Sequence, residues 1–233
     1  MIELTLGDER AGSRGPWARL ELRPEGLRRV HVMGGPGTGK TTLAPMLAAH
    51  LSVPVYHLDD VMFDCSTGSK VVRPLAERLD GVRRIASQPG WVTEGPYLGW
   101  TDELLHAADA IVWLDLPWHV AVRRVVLRYA RIKVAEAVRR PDKAKLLALL
   151  RSPVKVLTTL RWAGGYYHRR APEDAARRDD LDHSHEAAVE RLAPYAAKII
   201  RCKHPSEVQA LLDALVQRRA AATNRAHKAR SKL

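Results

Sequence analysis

The sequence predicts a three-layer α/β fold, in which helices cover both faces of a parallel β-sheet. Three observations support this class. Short apolar runs, typical of buried parallel strands, alternate with segments of helical periodicity. A glycine-rich segment connects the first apolar run to the first helical one. The 233 residues are 46% hydrophobic and 27% charged, which is typical of a soluble globular chain.

Five apolar runs predict strands, because turn residues or the start of a helical pattern bound each of them. They span 28–33, 53–57, 91–94, 110–115 and 197–202. Helical patterns occupy 39–51, 74–87, 118–138 and 206–216. The second of these helices begins behind Pro74, a residue favoured in a first helical turn. This order of elements indicates one domain of alternating strands and helices.

The net charge of +12 is concentrated in two segments. Residues 123–170 contain 14 lysines and arginines but only two acidic residues, and the tail 218–233 adds six basic residues. Such a tail is either a solvated chain end or an arm that binds nucleic acid. The charge therefore leaves a nucleic-acid partner open without requiring one.

The lack of a recognisable membrane segment or secretory signal, and the presence of only two cysteines, predict a cytoplasmic protein. We expect no membrane segment, because every apolar run is far shorter than the roughly 20 residues that span a bilayer. The first 26 residues lack the apolar centre of a secretory signal. Cys65 and Cys202 are too few for a disulfide framework, as expected in a reducing compartment.

A phosphate-binding loop is predicted between the first strand and the first helix. Gly34, Gly39, Lys40 and Thr41 satisfy G-x-x-x-x-G-K-[ST] in its required context. The backbone amides of such a loop and the helix N-terminus bind phosphates, the lysine reaches the β- and γ-phosphates, and the threonine hydroxyl ligates Mg²⁺. The predicted nucleotide contacts are Gly35, Gly37, Thr38, Gly39, Lys40, Thr41 and Thr42. Pro45 is expected to kink the helix that follows.

The loop "GGPGTGKTTLA", together with "VYHLDD", "GWVTEGPY" and "ADAIVWLDLPW", resembles the nucleoside-monophosphate-kinase superfamily. The closest likeness is to its adenylate-kinase-related branch, whose members carry the family name of topology modulation proteins. This resemblance implies a P-loop fold with strand order 2-3-1-4-5 and a helical lid. It implies an N-terminal extension at 1–28, a kinase-like domain at 29–217, an acceptor-binding insertion at 60–90 and a lid at 123–172.

The resemblance also implies roles for residues beyond the loop. Arg124 would lie near the adenine and Arg128 near the phosphates, and Arg169 is a further candidate from the lid. His204 and Pro205 either contact the base or form a plain turn before a helix. The stretch "EGPYLGW" differs from the "DGFPR" of adenylate kinases, so the acceptor stays open.

Several polar residues follow predicted strands, at the sheet edge where open α/β folds bind ligands. Asp59 and Asp60 either act on the acceptor or cap a helix. Glu94 either holds Mg²⁺ beside Gly95, which would admit a ligand close to the backbone, or is a surface glutamate. Tyr97 and Trp100 either stack on an acceptor or pack internally, and Asp115 either acts in the site or braces the sheet.

These observations predict an ATP- and Mg²⁺-dependent kinase. Lys40, Asp59, Arg128 and Arg169 are the predicted catalytic residues, and Thr41 and Glu94 the predicted metal ligands. Asp59, Asp60, Glu94, Gly95 and Tyr97 are predicted to bind the acceptor, which would be a nucleotide, a nucleoside or a small hydroxy metabolite. The alternative is a P-loop ATPase or nucleotide-binding regulator associated with nucleic acid.

Overall fold

A computed structural model describes residues 27–66, 68–139, 154–167 and 184–213. Within these ranges, one parallel sheet is formed by β1 (Arg29–Gly34), β2 (Val55–His57), β3 (Trp91–Glu94), β4 (Ala110–Leu114) and β5 (Ile199–Cys202). The order across the sheet is β2-β3-β1-β4-β5. The predicted five-stranded sheet and its order 2-3-1-4-5 are therefore confirmed. Residues 1–26 and the basic tail 218–233 lie outside the described residues.

Helices lie at the predicted positions 39–51, 74–87, 118–138 and, as far as residue 213, 206–216, whereas two short helices, Leu58–Met62 and Asp102–Ala107, were not predicted. The helices are α1 (Lys40–Leu51), α2 (Leu58–Met62), α3 (Leu75–Ala86), α4 (Asp102–Ala107), α5 (Trp118–Arg139), α6 (Val154–Tyr167) and α7 (His185–Leu192). A 3-10 helix, Ala193–Lys198, precedes β5, and residues 205–213 are helical after it. No helix of the described ranges is both long and apolar enough to cross a membrane.

Strand β3 has the predicted ends, and the other four strands differ from the predicted ones by one or two residues at one or both ends. Strand β2 begins at Val55 because Pro54 has no N–H to donate to a neighbouring strand, although its carbonyl still accepts from Val92 at 2.9 Å. Strand β5 begins at Ile199 because the 3-10 helix, with a proline in its first turn, occupies the two residues before it.

Both faces of the sheet are buried, which explains why the strands are continuous apolar runs. Successive side chains of a strand point to opposite faces. On one face, Val30 and Val32 pack with Leu43 and Leu47 of α1. On the other, Met33 belongs to a cluster with Leu58, Trp91, Leu104 and Trp113. The fold therefore has three layers, as predicted.

Two regions flank the sheet edge at which the strands end. In the segment 58–86, a short antiparallel pair of strands, Phe63–Asp64 and Val71–Val72, separates α2 from α3 and carries Lys70 at its turn. On the other side, α5 packs against α6. Of the predicted lid, 123–139 and 154–167 are helical, and 140–153 and 168–172 lie outside the described residues.

Helix α1 continues through Pro45 to Leu51. Pro45 is exposed, so its ring stands on the outer side of the helix. The helix tolerates the missing amide bond there because Leu43, Ala44 and Leu47 anchor its inner face.

Candidate functional site

A cleft of about 920 Å³ opens at the carboxyl edge of the sheet. Its walls come from the glycine loop, from α5, from the end of β3 and from the segment after β2 that carries Asp59, Phe63 and Lys70. The charged side chains along it, among the described residues, are Lys40, Asp59, Lys70, Glu94, Arg124, Arg128 and Arg131. Five of these are basic and two are acidic, so the cleft attracts anions.

The loop between β1 and α1 has the backbone geometry of a phosphate cradle. Gly37 and Gly39 have φ angles of 82° and 104°, a region that other residues rarely adopt. A Cβ atom on Gly37 would lie 2.5 Å from the carbonyl oxygen of Ala121. Helix α1 begins directly behind Gly39, and its first amides have no acceptor within the helix. This loop therefore fits the phosphates of ATP.

Lys40 lies at the mouth of this cradle. Its Nζ donates to the carbonyl oxygens of Gly34 at 2.7 Å and Gly35 at 3.0 Å. Burial lowers the pKa of Lys40 to about 8, with a smaller effect of Arg128, while Glu94 and Asp59 act in the opposite direction. Lys40 is therefore an ammonium at neutral pH, and it gains from a further anionic partner.

Thr41 and Glu94 provide the oxygen donors that a magnesium site needs. The Thr41 hydroxyl donates to Glu94 Oε1 at 3.2 Å, and both residues line the cleft. Hydroxyl and carboxylate oxygens suit Mg²⁺, which usually completes its shell with water and substrate phosphates. Among the described residues, no group of three or more His, Cys, Asp or Glu side chains is placed to hold a metal ion. The predicted pair fits the metal.

His57 also contacts Glu94, and sequence reasoning missed it. Its Nδ1 lies 2.8 Å from Glu94 Oε1, the same oxygen that accepts from Thr41. The parallel register pairs His57 of β2 with Glu94 of β3. The predicted strand order places β2 beside β3, and this adjacency is the signal that could have identified the pair.

Asp59 also lines the cleft, and each of its two carboxylate oxygens has a partner other than Thr41 or Glu94. Tyr97 donates from its hydroxyl to Asp59 Oδ1 at 2.7 Å, and Lys70 Nζ lies 3.4 Å from Oδ2. Burial, and then the bond to Asp59, raises the pKa of Tyr97, so its hydroxyl remains a donor. Sequence reasoning missed Lys70, which reaches the site through the turn of the short antiparallel pair.

Three predicted acceptor contacts have surroundings that the sequence did not reveal. The ring of Tyr97 is buried and packs on Trp100 with centroids 5.2 Å apart, and Tyr97 also lines the cleft. The space above Gly95 is filled by Leu58, because an added Cβ would lie 2.9 Å from the Cβ of Leu58. Asp60 is exposed and lines a separate pocket of about 410 Å³ with Arg73 and other charged residues. Neither aspartate is the N-cap of α2, a position held by His57.

Helix α5 supplies the basic wall of the cleft. Arg124 and Arg128, one helical turn apart, both line it. Arg124 Nη1 donates to the Thr38 carbonyl at 2.7 Å, so it contacts the cradle directly. Arg169, the further predicted lid arginine, lies outside the described residues.

His204 and Pro205, the predicted base contacts, are not among the residues that line the cleft. Val208 and Leu212 of the helix at 205–213 line it, whereas His204 and Pro205 are exposed at the start of that helix. The His204 amide donates to Glu207 Oε2 at 3.0 Å. This contact supports the interpretation of a turn that leads into a helix.

Asp115 braces the sheet. Its carboxylate accepts from Arg201 Nη2 at 2.6 Å and from His185 Nε2 at 2.9 Å. Burial alone would raise the pKa of Asp115, but the bond from His185 and the charge of Arg201 lower it below its usual value. Of the two roles left open by the sequence, this ion-pair network supports the structural one.

Helix α6 contacts the back of the cradle. The ring of Tyr166 would lie 2.7 Å from a Cβ on Gly35, and its hydroxyl accepts from Trp113 Nε1 at 3.2 Å. Tyr167 donates to the Leu116 carbonyl at 2.8 Å. The C-terminal end of α6 therefore contacts both the sheet and the phosphate loop.

Comparisons with known proteins found structural similarity alone. No family model matches the chain, and no curated protein matches it. Shikimate kinase from Acinetobacter baumannii in complex with shikimate is 16% identical with a TM-score of 0.44, over 88% of this chain and 97% of that one. A gluconokinase from Sinorhizobium meliloti 1021 is 16% identical with a TM-score of 0.40, over 87% of this chain and 97% of that one. Similarity at this level does not identify a function.

Proposed function

We propose that this protein is an ATP-dependent phosphotransferase, a small-molecule kinase that moves the γ-phosphate of ATP to a nucleotide, a nucleoside or a small hydroxy metabolite. One observation carries the proposal: a single cleft contains a phosphate cradle with its lysine, an oxygen pair suited to Mg²⁺, and a separate carboxylate, Asp59. A kinase needs these three parts, whereas nucleotide binding alone does not require the third.

The two carboxylates have different partners, which supports different roles. Glu94 contacts Thr41 and would hold Mg²⁺, which when bound neutralises charge on the β- and γ-phosphates. Asp59 contacts Tyr97 and Lys70, and in the proposed reaction it accepts the proton of the attacking acceptor hydroxyl. For an acceptor that presents a phosphate, Asp59 would orient the acceptor instead.

The basic residues would stabilise the negative charge of the transferring phosphoryl group. Lys40 is placed for the β- and γ-phosphates, and Arg128 on α5 faces the same cleft. In related reactions, a positioned arginine contributes about 10³ to 10⁵ in rate. We propose that the region 123–172 closes over ATP, which would keep water from the γ-phosphate.

The alternative is an ATPase or nucleotide-binding regulator that acts on nucleic acid, which the net charge of +12 keeps open. The position of the charge favours the kinase, because five basic side chains of the described residues already line the cleft. If nucleic acid were the partner, binding would weaken steeply with salt, as phosphate neutralisation requires.

The test is ATP consumption by the purified protein with Mg²⁺, in water alone and with four pools: nucleoside monophosphates, nucleosides, small hydroxy metabolites, and DNA or RNA. We expect stimulation by one small-molecule pool. Lys40→Ala should abolish it, because the mutation removes a charged donor worth about 1.5–3 kcal/mol in binding alone. Lys203→Ala, an exposed lysine outside the cleft, is the matched control. Stimulation by nucleic acid alone would favour the alternative.

A further inference from the structure

His57 is the one member of the Thr41–Glu94–His57 cluster to which the proposed function gives no role. It is the last residue of β2, and the parallel register places it beside Glu94 at the end of β3. Its Nδ1 lies 2.8 Å from Glu94 Oε1. Because a carboxylate oxygen accepts hydrogen bonds, Nδ1 is the donor of this pair.

Oε1 of Glu94 accepts two side-chain hydrogen bonds. Thr41 approaches Oε1 from α1 at 3.2 Å, and His57 approaches it from β2 at 2.8 Å. The shorter bond is the one from the imidazole. Side-chain exposure is 10% for Glu94 and 35% for His57, so the carboxylate end of the pair is the better shielded from water.

A glutamate needs such a partner more than an aspartate does. Its side chain has one more rotatable bond, and ordering that bond costs conformational entropy. A donor fixed by sheet register removes this freedom before any ligand binds. The Thr41 hydroxyl can then donate its proton to Glu94 while its lone pairs face a cation.

We propose that His57 is a positioning residue for metal-dependent nucleotide binding. By donating from Nδ1, it holds Glu94 beside Thr41 in the orientation in which the two present oxygens to Mg²⁺. This role rests on the proposed function, since it assumes that the cradle binds ATP with Mg²⁺. Partners that hydrogen-bond to a metal-site carboxylate typically change metal affinity by about 10- to 100-fold.

The experiment measures nucleotide affinity by calorimetry, so it needs neither an acceptor nor turnover. The probe is the β,γ-imido analogue of ATP, titrated once with excess Mg²⁺ and once with EDTA. His57→Leu keeps the side-chain volume and removes the donor. His57→Asn is the matched control, because its amide nitrogen reaches about the position of Nδ1. His57→Gln places its amide nearer Nε2 and serves as a second loss variant if His57→Leu does not fold.

We expect His57→Leu and His57→Gln to weaken the affinity with Mg²⁺ by about tenfold and to leave the affinity in EDTA within about twofold. His57→Asn should retain the wild-type affinity in both conditions. In a Glu94→Gln background, His57→Leu should have no further effect on the Mg²⁺-dependent part, because it acts through Glu94.

If His57→Leu and His57→Gln weaken nucleotide affinity equally with and without Mg²⁺, His57 merely supports the fold. If they do not weaken it at all, the proposed role is overturned as well. Wild-type affinity that is the same in Mg²⁺ and EDTA would overturn it as well. These outcomes differ from failure of the proposed function, in which the wild-type chain would bind the probe in neither condition or would bind it and never form a phosphorylated product.

Discussion

Gly37 offers the sharpest test of the phosphate loop itself. Its φ of 82° and the 2.5 Å approach of an added Cβ to the Ala121 carbonyl both exclude a side chain. We expect Gly37→Ala to shift the loop or α5 and to weaken ATP binding at least about tenfold, because the cradle amides lose their alignment. Calorimetric titration with ATP and Mg²⁺ measures this loss.

Gly68 provides the control for backbone strain alone. Its φ of 77° is similar, but nothing lies within 4 Å of an added Cβ. Gly68→Ala should cost about 1–2 kcal/mol of unfolding free energy from the left-handed conformation and leave ATP affinity unchanged. An equal loss of ATP affinity in Gly37→Ala and Gly68→Ala would contradict the assignment of the glycine loop as a phosphate cradle.

Asp59 and Tyr97 test the acceptor side of the cleft. With the acceptor found by product search, Asp59→Asn should lower kcat by about 10² to 10⁴, since a general base is lost, while ATP affinity stays within about twofold. Tyr97→Phe removes the hydroxyl that donates to Asp59 at 2.7 Å and should lower kcat by about tenfold. Full phosphoryl transfer by Asp59→Asn would exclude it as the base.

The parts of the site that the sequence predicted are those that a local pattern defines. Lys40 and Thr41 belong to one contiguous motif, so their placement at the cradle follows from it. His57 and Lys70 were missed because their partners, Glu94 and Asp59, meet them only through strand register and through the turn of a short antiparallel pair. The packing of Leu58 against Gly95 depends on contacts between segments distant in the chain, which one sequence does not reveal.

Helix α6 depends on one buried hydrogen bond to the sheet. Trp113 is fully buried, and its Nε1 donates to the Tyr166 hydroxyl at 3.2 Å. Tyr166→Phe leaves this indole N–H without an acceptor and should lower the unfolding free energy by about 1–3 kcal/mol. Tyr167→Phe, whose partly buried hydroxyl donates to a carbonyl, should cost about 0.5–1.5 kcal/mol. Denaturant unfolding compares the two, and a smaller loss for Tyr166→Phe would contradict this account.

The five strands and the helices α1, α3 and α5 were predictable because each satisfies a local rule, whereas the short helices α2 and α4 were not predicted. Strands buried on both faces are apolar throughout, and helices show their spacing of apolar residues. Their ends were less predictable, because they depend on single events such as Pro54 in β2 and the 3-10 helix before β5. The short antiparallel pair at 63–64 and 71–72 gave no comparable signal, since two-residue strands are too short for a pattern to appear.

Acid should destabilise the whole molecule through His31. Burial in β1, with a smaller effect of Lys40, lowers the pKa of His31 to about 4, below its usual 6.5. Between these values the unfolded chain binds a proton and the folded chain does not. The part of the unfolding free energy that depends on neutral His31 is therefore complete above pH 6.5 and falls as the pH drops towards 4, by at most about 1.4 kcal/mol per pH unit.

The measurement is the unfolding free energy by denaturant titration between pH 7.5 and 4.5. His31→Leu should remove this part of the pH dependence, although loss of the bond between His31 Nδ1 and Thr93 Oγ1 lowers stability equally at every pH. An unchanged slope in His31→Leu would show that other groups cause the acid sensitivity. Asp115, whose pKa is lowered, adds a loss only at more acidic pH, below the usual carboxyl range.

The distribution of charge over the molecule bears on both functions considered. Basic residues are concentrated in 123–170 and in the tail, and those of α5 that line the cleft face the cradle. A kinase uses this charge on the phosphates of its own substrates. The fate of the γ-phosphate therefore separates the two functions.

The decisive measurement incubates the purified protein with Mg²⁺ and ATP labelled in its γ-phosphate and follows the label by mass spectrometry. One incubation contains pooled nucleoside monophosphates, nucleosides and hydroxy metabolites, and a parallel one contains DNA or RNA. Our account predicts that the label appears in one phosphorylated small molecule and that Lys40→Ala abolishes its formation. Label recovered only as free phosphate, and only when DNA or RNA is added, would contradict it.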